Sequence, residues 1–142
     1  MLGGVPPSAL VGSLPPPIRD LGCRPTEPRQ YDRLPEGHWF GAGDPVLVVL
    51  GISDYRVVVG VPEIRWEGQT PVLELASTER FDETASDEDL PTWLAAHIPA
   101  AVGRRRATFQ VCERCRETNP PEWMLDDDAI CQSCAEQDGA VF

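Results

Sequence analysis

Cys112, Cys115, Cys131 and Cys134 form two Cys-x-x-Cys pairs separated by fifteen residues. A tight Cys-x-x-Cys turn brings two sulfurs close enough to share one ion, and its backbone N–H groups can donate to them. Two such turns complete a tetrahedron. The donor set suits Zn²⁺ in a closed structural site, where the protein fills every coordination position. A rubredoxin-like iron site or an iron–sulfur centre has compatible spacing. A redox-active dithiol pair is a further alternative, but it calls for a strand–helix junction in a larger α/β fold, and that context is missing from the sequence. Neither His38 nor His97 stands at ligand spacing to the cysteines.

The insert between the pairs gives the module a shape. Pro120-Pro121 sets a turn, Trp123 and Ile130 are placed to pack over the metal, and Asp126, Asp127 and Asp128 make a polar turn tip. The residues after Cys131 are helix-compatible as far as Gly139. A knuckle, a hairpin and a second knuckle opening a helix is the treble-clef arrangement. The pattern Cys112-x-x-Cys115…Pro121-x-Trp123…Ile130-Cys131-x-x-Cys134-Ala135 resembles the GATA-type zinc finger. More loosely, it is similar to the treble-clef fingers of bacterial DksA/TraR-type regulators. The resemblance covers residues 107–140 and implies Zn²⁺ on the four cysteines; residues 1–106 resemble no family. DNA binding does not come with it. GATA fingers follow the Trp with arginines, whereas here Met124, Leu125 and three aspartates stand in that place. From 107 to 142 eight acidic residues face two basic ones, the wrong sign for a finger that meets phosphate.

What must position this module is read from the rest of the chain. Residues 1–43 hold eight of the fifteen prolines, including Pro15-Pro16-Pro17, so extended chain wrapping a body is expected. One or two helical turns fit at 8–14. Cys23 has no partner at ligand spacing and reads as a packed or partly exposed thiol. From Asp44 the texture becomes β-branched. Strands are expected at 45–52, 55–61, 63–66 and 71–76, with a turn at Ser53-Asp54, a break at Pro62 and a turn at 67–69. Gly51 and Gly60 mark possible bulges or bends. The expected fold is α+β and β-rich: a small antiparallel meander or partly open barrel with one short helix, plus the C-terminal treble clef.

That helix starts after an acidic stretch at 79–89, with Ser86 or Asp87 as cap and Pro91 in the first turn. Leu90, Trp93, Leu94 and His97 share one face, and Pro99 is expected to stop it. Arg104, Arg105 and Arg106 follow as the one basic cluster, read as solvated or paired inside the molecule. A strand at 108–111 delivers the chain to Cys112. Three domains result: 1–43, 44–106 and 107–142.

Charge narrows the function. Twelve basic against 23 acidic residues give −11, and every basic residue is Arg, as codon usage in a GC-rich genome would produce. Such acidity repels a phosphate backbone, so direct nucleic-acid binding is disfavoured and a protein partner is expected. No run is long enough to span a membrane, and the N-terminus lacks the pattern of a signal peptide. A cytoplasmic chain with reduced thiols is therefore expected, which favours metal over disulfide. No Gly-rich phosphate loop, Gly-x-Ser-x-Gly or His-Glu-x-x-His is present. The expected function is a non-enzymatic acidic zinc protein acting through protein–protein contact. The alternative is a regulator of transcription or translation that touches nucleic acid or its machinery. Contact candidates are Trp123, Asp126, Asp127, Asp128, Arg104, Arg105 and Arg106.

Overall fold

The fold is taken from a computed structural model, which describes residues 23–26, 28, 38–52, 57–81, 87–125, 129–137 and 139. Five antiparallel strands form an open sheet in sequence order: β1 (Cys23–Pro25), β2 (His38–Ala42), β3 (Val48–Ile52), β4 (Val57–Glu67) and β5 (Thr70–Arg80). The meander is as expected, but among the described residues β5 does not return to β1, so no barrel closes. Two of the strands, β1 and β2, come from the Pro-rich segment 1–43. The helical turns expected at 8–14, the run Pro15-Pro16-Pro17 and the turn at Ser53-Asp54 lie outside the described residues.

The apolar runs explain the centre of the sheet. All five residues of β3 are buried, as are the first six of β4. Burial on both faces is why these strands read as continuous β-branched runs rather than as an alternation. Pro62 does not end a strand. It sits at a register shift, where Val61 pairs with Ser77 and Pro62 with Leu75, and β4 runs through to Glu67. A bulge tolerates a residue with no N–H to give. Close by, Gly60 packs tightly: a Cβ there would lie 3.0 Å from the Leu75 side chain, which would have to shift to admit it. Gly51 marks no bulge, pairing regularly with Trp39 and Val58. At the far end Gly68, with φ +63, opens the two-residue turn into β5.

One helix, α1 (Leu90–Arg106), packs on β3 and β4. A 3₁₀ turn at Asp87–Asp89 leads into it, and Pro91 lies in the first turn as expected. Asp89 holds the cap position without a side-chain capping bond. Pro99 does not stop the helix, which continues for seven residues beyond it. The reason is burial: Ile98, Ala101, Val102 and Arg105 extend the inward face begun by Leu90 and Leu94. Together they cover Val48, Leu50, Val57, Val59 and Val61. Phe81 meets Trp93 edge-on at 5.5 Å, and Trp93 lies against His97 at 4.4 Å. Among the described residues no helix is long and apolar enough to cross a membrane.

Candidate metal centre

The chain leaves α1 through a short turn and enters a two-stranded ribbon, β6 (Gln110–Val111) with β7 (Thr118–Asn119). The first cysteine pair sits in its connecting turn. Cys112 N–H donates to the Glu117 carbonyl and Arg116 N–H to the Cys112 carbonyl, both at 2.9 Å. Arg116 takes a φ of +64 to close this turn. A 3₁₀ turn, Pro121–Trp123, then leads to a bridge between Met124 and Cys131. Cys131 enters the second helix, α2 (Gln132–Gln137), and Cys134 lies in its first turn.

The four sulfurs converge. All lie within 4.8 Å of one another, with Cys112 Sγ 3.8 Å from Cys134 Sγ and Cys115 Sγ 3.9 Å from Cys131 Sγ. A tetrahedron with Zn–S arms of about 2.3 Å has edges of about 3.8 Å, so the spacing fits a single thiolate-bound ion. Cys112, Cys131 and Cys134 are buried and Cys115 is exposed. Met124 and Ile130 pack against the cluster. No other group of three or more candidate ligands is found among the described residues.

The electrostatics are uneven. The Cys112 sulfur accepts from Cys115 N–H at 3.5 Å and Cys131 N–H at 3.3 Å. These backbone donors, with that of Arg114, bring its pKa down to about 6 against the pull of burial. Cys134 is pushed up to about 12 by burial and by the surrounding thiols. Cys115 is raised as well: burial and the Cys112 and Cys131 sulfurs outweigh the Glu117 N–H, the largest single influence and a lowering one. A cation held among the sulfurs favours all four as thiolates, as ligation requires.

The module is fastened to the sheet by Glu122. Its carboxylate pairs with Arg105 at 2.5 Å, and both side chains are almost wholly buried. Its carbonyl accepts from the Trp66 indole N–H at 2.8 Å and the Gln132 amide at 3.2 Å. Arg105 also donates to the Val46 carbonyl at 3.0 Å and lies over the Phe109 ring.

The contact candidates separate. Trp123 does not pack over the sulfurs; it is 42% exposed, and Met124 occupies the inward position. Arg104 is exposed, 4.0 Å from Glu79, and Arg106 is exposed, while Arg105 faces inward. Asp126, Asp127 and Asp128 lie outside the described residues. Sequence reasoning missed Glu122 and Trp66. A lone Glu in a Pro-Pro-Glu-Trp turn carries no signal that its partner lies seventeen positions earlier. No family model, curated protein or solved structure matches this chain.

Proposed function

We propose that Cys112, Cys115, Cys131 and Cys134 hold one structural Zn²⁺, and that the chain is a non-enzymatic protein that works by docking onto another protein. The carrying observation is the set of four sulfurs at tetrahedral spacing, all supplied by cysteine. Bound zinc supplies folding free energy to a segment too short to gather a core of its own. Four thiolates leave no coordination position for a substrate, which supports a structural role over a catalytic one. The ribbon with its cysteine turn, followed by a second cysteine pair opening α2, supports a treble-clef reading. The acidity of residues 107–142 supports a protein partner over a nucleic acid.

The test is metal content and metal dependence together. Protein purified without added metal should carry one zinc per chain by mass spectrometry. Cobalt exchange should give the intense visible bands of a tetrahedral thiolate site. A redox-inactive chain with no bound metal, or iron in its place, defeats the zinc assignment. A hydrolytic or transfer activity that survives in the purified chain defeats the non-enzymatic one.

A further inference from the structure

We infer that Trp66 and Trp123 together form the docking surface, and that its occupant is a basic segment of another protein. This rests on the interaction reading above and specifies where and what. Among the described residues three large apolar side chains are exposed, and two of them are these tryptophans, at 45% and 42%. They come from different elements, the outer end of β4 and the turn between the cysteine pairs. The Trp66 indole N–H donates to the carbonyl of Glu122, in the very peptide group that leads into Trp123. Two exposed tryptophans on elements tied together by a hydrogen bond spanning 56 residues differ from apolar residues scattered singly over a surface. Trp is also the side chain most enriched where protein interfaces gain their affinity.

The chemistry of the surface selects the occupant. The Trp66 N–H is already committed, so its ring offers a face and an edge. An indole face carries negative quadrupole charge and attracts Arg or Lys. The surrounding charge has the same preference. On β4, Arg65 is drawn to Glu63 at 3.4 Å and Glu74 at 3.0 Å, which leaves that end acidic. The chain as a whole carries −11. A phosphate or an acidic peptide meets repulsion here; a basic segment meets attraction over distance and stacking on contact. Because Trp123 lies between the two cysteine pairs, the surface exists in this form only while the metal module is folded.

The test uses the full zinc-loaded chain and acetylated octa-arginine as probe, titrated calorimetrically at low salt. Zinc content and circular dichroism are checked first for each protein, so loss of the structural-zinc reading shows there, separately from loss of binding. Binding is expected for the parent chain. It should weaken by about tenfold in Trp66→Ala and in Trp123→Ala, and be largely kept in the Trp→Phe versions. Equal affinity in the parent and both Ala variants overturns the proposal, since general acidity would then account for binding. No binding by the zinc-loaded parent also overturns it. So does a dimer, seen by sedimentation, that Trp123→Ala dissolves, because the surface would then serve a second copy.

Discussion

Arg105 on α1 and Glu122 in the turn between the cysteine pairs form a buried ion pair, with side chains 2% and 5% exposed. It joins the metal module to the sheet body at a point where neither charge can reach water. The second carboxylate oxygen of Glu122, Oε1, has no hydrogen-bond partner among the described residues. A pair buried in this way contributes little net stability over an apolar pair of the same size, but breaking it from one side is costly.

Arg105→Met should therefore destabilise the chain by about 3–5 kcal/mol, because it strands a buried carboxylate. Arg105→Met combined with Glu122→Leu should recover most of that loss. Urea titration of both variants with zinc bound measures the difference. A double variant as unstable as the single one would show that packing, rather than the stranded charge, dominates.

Metal removal should act unevenly along the chain. Chelation, or Cys131→Ser, is expected to speed amide exchange throughout 110–137 and to expose the C-terminal turn of α1 as Glu122 leaves Arg105. The central strands β3 and β4, buried at 48–52 and 57–62, should stay protected. Hydrogen exchange followed by mass spectrometry resolves these segments. Uniform exchange across the whole chain would instead make the metal a condition for folding the sheet.

In the fraction of metal-free chain whose cysteine module stays folded, Cys112 should give a pH signature. Its folded pKa of about 6 lies below the ordinary value of 9.0, so the folded state favours the thiolate. The resulting stability is complete above pH 9, declines as pH falls, and is gone once pH drops through the folded value of about 6. Thiolate absorbance at short ultraviolet wavelength should titrate near that lower value, and Cys112→Ser should abolish the step. The burial that raises Cys134 gives the opposite sign, with stability held below 9.0 and lost as pH climbs towards about 12.

Pro99 is exposed inside α1 and gives no N–H to the helix ladder. Pro99→Ala should restore that bond and stabilise the chain by about 1–3 kcal/mol. Thermal unfolding checks it. A loss of stability would mean that the helix path depends on a kink at Pro99.

These elements show what could be read from the residues and what could not. The four-cysteine cluster was legible because ligand type and spacing act locally: a Cys-x-x-Cys turn is a short-range object. The meander was legible from β-branched runs separated by turns. Pro62 and Pro99 were read as stops because a proline's cost is local, whereas the burial that outweighs it comes from residues distant in sequence. Trp123 is expected to pack over the metal, yet Met124 turns inward there. Glu122 was invisible for the same reason as Pro99, since its meaning lies in Arg105 and Trp66, on other elements.

The bulge at Pro62 divides β4 into two stretches with different freedom to change. Inboard of it each side chain is enclosed, so drift is restrained by packing. Outboard, Glu63–Glu67 grades from half-buried to exposed, and surface changes of that kind usually shift stability by no more than about 0.5 kcal/mol. Trp66 is the exception on this stretch, tied by its indole N–H to the Glu122 carbonyl. Descendants of this chain could therefore re-tune what they recognise through the residues around it on β4's outer half while inheriting the same body and the same metal site.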